Sequence, residues 1–446
     1  MAKNKTYYVC EDCGAEHGKW SGKCETCGAW NSLKEFHPAK LNLSGKSFQG
    51  SVLDPRQNQG LEQQSTGFKS GIVFLDSVLG GQIVAGSVIL LAGQPGMGKS
   101  TLLTQLIASI STQQETLYVS AEESVNQVNS RISRLNGESA NLNLVHSTSV
   151  EDIVATIASK KFKLIIIDSI QTITNQEVSG MPGSVSQITS STAAIVNAAK
   201  NSDTAIILVG HVTKEGNIAG PKLLEHLVDV VLYLDGERTD GFKFLRGIKN
   251  RYGSTNEVAV LEMDSEGLKE VLNPSAALLE ERQASDGSII FAGIEGNRPI
   301  LIEVQALVHK TSFGYPKRTA SGFDLNRLQL LAAVISRRTK LNLSEYDIYI
   351  NFVGGFKVNE PAADLAVAMA IASAASGKEL PDDLVVFGEV GLSGEIRRAG
   401  NAEKRIAEAK KMGFKAAVGP ASNAKKDAKF IRPVKNIREA FIQYLE

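Results

Sequence analysis

The sequence predicts an α/β protein with a parallel, doubly wound sheet at its centre, a small knuckle before it and an α+β domain after it. Three observations carry this expectation. All four cysteines fall within the first 27 residues; a glycine-rich loop joins an apolar strand to a helix near residue 95; and from residue 67 onward apolar runs of strand length alternate with helical patterns. A chain of 446 residues exceeds what one core usually organises. The composition shifts divide it into a knuckle at 1–37, a linker at 38–66, the parallel-sheet domain at 67–272 and a C-terminal domain at 273–446.

The knuckle is read from Cys10, Cys13, Cys24 and Cys27, two C-x-x-C pairs separated by ten residues. Each pair is followed by Gly-Ala, and a glycine there can turn through positive φ so that backbone N–H groups face the sulfurs. Four thiolates in tetrahedral array suit Zn²⁺ in a closed structural site, with a redox pair as the alternative. His17 is read as a surface histidine, since four sulfurs complete the shell. Trp20 and Trp30 are expected to cover the metal, stacking on a base or partner being the second reading. The polar, Gly-, Ser- and Gln-rich stretch that follows is a linker.

Charge excludes one class of function. Lys+Arg and Asp+Glu both number 48, so no whole-protein cationic field attracts nucleic acid and any such binding must be local. The segment MAKNKTYYVC carries lysines with no apolar stretch behind them, and the longest apolar runs, VILLAG and KLIIID, are of strand length. A soluble, cytoplasmic chain without membrane contact is expected.

The glycine loop is specific. Gly93, Gln94, Pro95, Gly96, Met97, Gly98, Lys99 and Ser100 match G-x-x-x-x-G-K-[ST] between a strand and a helix that continues through Thr101. Backbone amides and a helix N-terminus there converge on phosphates, Lys99 reaches the outer ones, and Ser100 ligates Mg²⁺, so ATP and Mg²⁺ are the expected ligands. Later strands add carboxylates at their ends. TLYVSAEES leads to Glu122, placed to activate an attacking water, with Glu123 as its surface neighbour. In SVEDIVATIASKKF, Val150, Ile153, Val154 and Ile157 share a helical face, and KLIIIDS then ends on Asp168, which supports Mg²⁺ from behind Ser100. TAIILVGHVTK ends in His211, which either satisfies a buried backbone group or senses the γ-phosphate. Further on, KNRYG holds Lys249 and Arg251 with no acidic residue between them, a pair suited to an anion or else a solvated basic loop.

Taken together, LDSVLGGQIVAGSVILLAGQPGMGKSTLL, VSAEES, IIIDSIQTI, LVGHVTKEGNIAGPKLLEHLVDVVLYL and KNRYG resemble the RadA (Sms) family of bacterial DNA repair ATPases, and the likeness runs from the knuckle to the last helix. The resemblance implies a RecA-like core related to replicative helicases, a hexameric ring, and a part in homologous recombination and branch migration on single-stranded and branched DNA. A recombinase or replicative helicase is the implied protein partner. It also implies that Lys249 and Arg251 reach the γ-phosphate held by the next subunit, as arginine fingers do. A RecA-like regulatory ATPase acting through protein partners is the alternative.

The C-terminal domain resembles the proteolytic domain of Lon through PAADLAVAMAIASAASG and VVFGEVGLSGEIRRAGNAEKRIAEAKKMGF. Leu328, Leu331 and Ile335 fall at helical spacing, and Ile348, Ile350 and Phe352 alternate as a strand. Where Lon-type peptidases need a serine and a lysine, the sequence has Ala362 and Glu403, neither able to do that chemistry. Lys404 is turned about a hundred degrees away on a helix. An inactive peptidase domain that builds the ring and contacts DNA is therefore expected. Lys310, Lys317, Arg318, Arg337 and Arg338 are the candidate phosphate contacts, against the plainer reading of a solvated surface.

Overall fold

Nine strands form the central sheet, in the spatial order 267–270, 258–264, 243–250, 230–236, 88–93, 205–211, 164–168, 116–120, 142–146. The six from Val230–Gly236 to Leu142–His146 are parallel, and the remaining three are antiparallel additions to one edge. This computed structural model describes residues 7–10, 16–25, 28, 30, 32–36, 66–135, 137–159, 161–211, 223–236, 241–312 and 314–446. Cys13 and Cys27 lie outside them, as does nearly all of the linker.

The parallel strands are near-continuous Val, Ile and Leu because both faces of the sheet are covered. One face packs on helices Val73–Leu79 and Lys99–Ser111, the other on Val150–Ala158 and Val185–Ser202. Val150, Ile153 and Ile157 are buried on their helix, with Val154 packed beside them. The segment before the strand Val88–Gly93 holds the helix Val73–Leu79, which ends on Gly80 at φ 86°.

The C-terminal domain is a mixed sheet of seven strands in the order 318–321, 346–352, 298–310, 288–295, 384–386, 416–420, 431–434. Its centre is the hairpin Ser288–Glu295 and Arg298–Lys310, whose thirteen-residue second strand sequence reasoning missed. Ile348, Ile350 and Phe352 are buried, as are Leu328, Leu331 and Ile335 of the helix Leu325–Arg338. The helix Asp364–Ser376 is buried over its first ten residues and ends on Gly377 at φ 62°. Both sheets meet in one apolar core: Phe244, Val258 and Val260 pack with the C-terminal residues, and the rings of Phe244 and Phe356 stand edge to face with centroids 4.6 Å apart. Just after the central sheet the chain forms the short helix Pro274–Leu279, and Leu278 joins that core.

The knuckle is a three-stranded antiparallel sheet with Tyr7–Cys10 between Glu16–His17 and Leu33–Phe36. Cys10, Cys24 and Leu33 form its small core against Tyr8. No helix among the described residues is long and apolar enough to cross a membrane.

Candidate active site

The P-loop closes as its glycines require. A Cβ on Gly93 would stand 2.3 Å from the Leu234 carbonyl oxygen, and one on Gly98, at φ 97°, would stand 2.5 Å from Met263 Cε. No larger residue fits either place. Met97 is 1 % exposed, with its side chain in the sheet's core, so only its backbone faces the loop, whereas Pro95 and Gly96 are exposed. Lys99 begins the helix and donates to the carbonyls of Gly93 at 2.8 Å and Gln94 at 3.0 Å. Burial pulls its pKa down to about 8, opposed by the nearby Asp168 and Glu122 charges.

Strand pairing gathers the carboxylates. Ser120 lies opposite Asp168, and the strand of Asp168 pairs with the strand that ends in His211. Ser100 Oγ donates to Asp168 Oδ2 at 2.8 Å, and so does the Tyr118 hydroxyl at 2.6 Å. Tyr118 is 1 % exposed, and its pKa is raised well above the usual phenol value, first by burial and then by the Asp168 charge. Glu122 Oε1 accepts from Ser169 Oγ and lies 3.2 Å from His211 Nε2. The His211 hydrogen bond is the largest cause holding the Glu122 carboxyl below its usual pKa, partly offset by burial, and so keeps it ionised. His211 thus touches a side chain at the site, while its Nδ1 is buried without a partner among the described residues. Glu123 points away and is held in a two-pronged contact by Arg131, both distances 2.7 Å. Tyr118, Ser169 and Arg131 escaped the sequence reading.

These groups fit the ligands the motif implies. A glycine loop with no room for a Cβ at Gly93 and left-handed φ at Gly96 and Gly98, a buried lysine, and a hydroxyl 2.8 Å from a carboxylate make a phosphate and Mg²⁺ donor set: Lys99 and the loop amides for phosphates, Ser100 and Asp168 for the metal.

Lys249 and Arg251 lie elsewhere. Their strand runs antiparallel to Val230–Gly236, so its end falls at the amino-terminal edge of the parallel strands, opposite the P-loop. Arg251 N–H donates to the Asp229 carbonyl and Asp229 N–H to the Val88 carbonyl. Five residue steps along the strand, roughly 16 Å, separate Val88 from Gly93. Although KNRYG holds no acid, Arg251 Nη1 pairs with Asp229 Oδ1 at 2.9 Å, while Lys249 Nζ donates to the carbonyls of Glu225 at 2.5 Å and Val228 at 2.8 Å.

The knuckle departs from its reading in three ways. His17 is no bystander: its Nε2 lies 3.4 Å from Cys24 Sγ, close enough to tune that sulfur. Gly28, at φ 77°, donates its N–H to the Cys24 carbonyl at 2.8 Å rather than to a sulfur. Trp20 and Trp30 are 58 % and 73 % exposed and are not part of the core around Cys10 and Cys24, and Lys23 Nζ lies 5.7 Å from the Trp30 ring centre. The buried Cys10 and Cys24 thiols suit a soft metal such as Zn²⁺.

Among the phosphate candidates, Lys310, Lys317, Arg337 and Arg338 are exposed on the C-terminal domain. Lys310 Nζ lies 3.7 Å from Glu345, and Arg338 Nε donates to the Leu392 carbonyl at 3.4 Å. Arg318 is different: its guanidinium donates to the carbonyls of Lys317, Tyr346 and Leu343, which makes it a brace for the sheet edge rather than a phosphate ligand. Ala362 is buried, and Lys404 Nζ is tied to Asn297 at 3.1 and 3.2 Å.

The fold and this site define a P-loop ATPase with a RecA-like core, an N-terminal zinc ribbon and a Lon-protease-like C-terminal domain. Family models agree in each part: an AAA domain matches residues 58–217, a rubredoxin metal binding domain 8–35, and subunit ChlI of Mg-chelatase 326–423. Among relatives, the chain is similar to the DNA repair protein RadA of Aquifex aeolicus, 45 % identical over 99 % of both chains. It is also similar to the proteins of that name from Bacillus subtilis, 46 % identical over 95 % of this chain and 94 % of that one, and Pseudomonas aeruginosa, 45 % identical over 96 % and 95 %. The chain belongs to the DNA repair protein RadA family.

Proposed function

We propose that the protein is a DNA-dependent ATPase and helicase-like motor of DNA repair and homologous recombination, working as a homo-hexameric ring that drives branch migration on single-stranded and branched DNA. Lys249 and Arg251 of one subunit complete the ATP site of the next. The observation that supports this reading is their position at the edge of the sheet opposite their own P-loop, out of reach of their own nucleotide and free to face a neighbour's. Lys99 and the loop amides hold the phosphates. Glu122, ionised and oriented by Ser169 and His211, takes the proton of the attacking water as the bond from the γ-phosphorus to its bridging oxygen breaks. Ser100 and Asp168 would hold Mg²⁺, which when bound would supply positive charge against the phosphates. The trans cations stabilise the charge that develops on the transferred group, a contribution of roughly 10³ or more. Lys310, Lys317, Arg337 and Arg338 are the exposed cations that suit DNA phosphates, and a recombinase or replicative helicase is the fitting protein partner.

The test is ATP turnover measured against protein concentration, with and without single-stranded DNA. Turnover per subunit is expected to rise with concentration and with DNA, and Lys99→Ala to abolish it. Turnover indifferent to DNA at every concentration would remove the DNA role, and turnover per subunit flat down to the monomer would remove the trans site.

A further inference from the structure

Arg251 sits in a bend after the strand Lys243–Asn250, on a side chain long enough to adopt many rotamers. A trans cation is useful only if its loop already has the shape the neighbour's phosphate requires, because misplacement by about 1 Å can cost 10²-fold in rate. The structure shows what fixes that shape.

Two side chains hold the bend from opposite sides. Asn250 Nδ2 donates to the Leu79 carbonyl at 2.9 Å, and its Oδ1 accepts the backbone N–H of Tyr252 at 2.9 Å, so one amide spans Arg251 and pins the loop to the end of the helix Val73–Leu79. Gly253 lies flat against that same helix end: a Cβ there would stand 3.0 Å from Gly80 Cα. On the other side is Asp229, 2 % exposed. Its Oδ2 accepts the N–H of Val88 at 3.1 Å and its Oδ1 the guanidinium of Arg251 at 2.9 Å. Val88 begins the strand whose other end is Gly93, so the arginine is referenced to the strand that carries its own subunit's P-loop. Arg251 remains about half exposed despite the pair, which uses its Nη1, and its Nη2 has no partner among the described residues.

We propose that Asn250 and Asp229 are positioning residues for the trans cations, holding Arg251 in the geometry the neighbouring ATP requires while touching no nucleotide themselves. This assignment rests on the trans reading above and deepens it. It also gives each residue of KNRYG except Tyr252 a task, with Lys249 and Arg251 as the cations, Asn250 as the clamp and Gly253 as the close approach.

The test is subunit mixing. Asn250→Ala, Asn250→Asp, Asp229→Asn and Arg251→Ala are each assayed alone and mixed with Lys99→Ala, whose own ATP site is dead but whose loop is intact. Alone, Asn250→Ala and Asp229→Asn are expected to slow turnover roughly 10- to 100-fold with unchanged affinity for a fluorescent ADP analogue. Asn250→Asp, which keeps the acceptor for Tyr252 and loses the donor to Leu79, falls between. Mixing with Lys99→Ala restores all of them, and mixing with Arg251→Ala restores none. Wild-type turnover in Asn250→Ala, or a loss that Lys99→Ala fails to restore while it does restore Arg251→Ala, overturns the assignment. Were Asn250→Ala to melt below the assay temperature, Asn250→Asp and Asp229→Asn decide by the same criterion. Failure of Arg251→Ala itself to be restored in rings that co-assemble overturns the trans reading and this assignment with it.

Discussion

The two large sheets of this chain each carry a pair of carboxylates near a helix start, and they treat them in opposite ways. In the ATPase domain, Asp168 is held by the hydroxyls of Ser100 and Tyr118, and Glu122 by the hydroxyl of Ser169 and the ring of His211. In the C-terminal domain, Asp364, with no exposed side-chain surface, takes the two-pronged guanidinium of Arg327, and Glu360 takes that of Arg405, itself 2 % exposed and within 6 Å of the Phe291 and Phe387 ring centres. Hydroxyl donors orient a carboxylate without neutralising it, so its charge is left for a cation or a water proton. A guanidinium both neutralises and saturates it. The first arrangement keeps chemistry available, and the second turns the same residue type into scaffold, where a peptidase site would otherwise be sought around Ala362.

Breaking each arrangement should give losses of different kinds. The largest is expected at Glu122. Glu122→Gln keeps the contacts to Ser169 and His211 but removes the proton acceptor, and turnover should fall by roughly 10²- to 10⁴-fold while ADP-analogue affinity and thermal melting stay near wild type. A mutant that still turns over within a few-fold of wild type would make Glu122 an orienting group only. The counterpart is Arg405→Met, which leaves Glu360 without its guanidinium partner. Because Glu360 keeps a quarter of its side-chain surface in water, the cost should sit at the low end for a broken buried pair, about 3 kcal/mol, read as a lowered urea midpoint of the C-terminal domain. Turnover per folded subunit should hardly change. If Arg405→Met instead silenced hydrolysis in a stably folded ring, the division between chemistry and scaffold would fail.

How far each arrangement could be read in the sequence follows from what specifies it. The P-loop was legible because its backbone demands glycine at fixed spacing, and Asp168 and His211 because parallel strands leave their ligands at their carboxyl ends. Tyr118 was not, since within TLYVS it reads as one more apolar strand residue. Only the register that sets Tyr118 against Ile166 puts its hydroxyl on the face of Asp168, and register is a property of the folded pair. Asp229 did leave a signal, an acid interrupting the apolar run of LVDVVLYL, where a buried charge needs a partner. That partner, Arg251, lies 22 residues on and reaches it only because the next strand turns back. Arg318 shows the converse: a cation in a basic stretch whose Nη1 and Nη2 both donate to carbonyls of its own sheet edge. The hairpin Ser288–Lys310 went unread because its central stretches, Ser288–Gly293 and Ile300–Val304, are buried at every position, which erases there the alternation that marks a half-buried strand.

The smallest effect sharpens the comparison from the cationic side. Lys99 is buried with the carbonyls of Gly93 and Gln94 as its hydrogen-bond partners, where Arg405 also holds a carboxylate, and burial brings the Lys99 pKa to about 8. Phosphate contact favours the charged amine, so ATP binding above pH 8 must return a proton to it. Affinity should therefore be level up to about pH 7.5 and fall as pH rises further, being about tenfold weaker at pH 9 than at pH 7, with a matching proton uptake in calorimetry run in two buffers of different ionisation enthalpy. Arginine cannot lose its proton in this range, so a Lys99→Arg protein that still binds nucleotide should show a flat profile. A wild-type affinity unchanged between pH 7 and 9 would mean that Asp168 and Glu122 hold the ammonium charged against its burial, and that the lysine, like Arg405, is neutralised by its surroundings before any phosphate arrives.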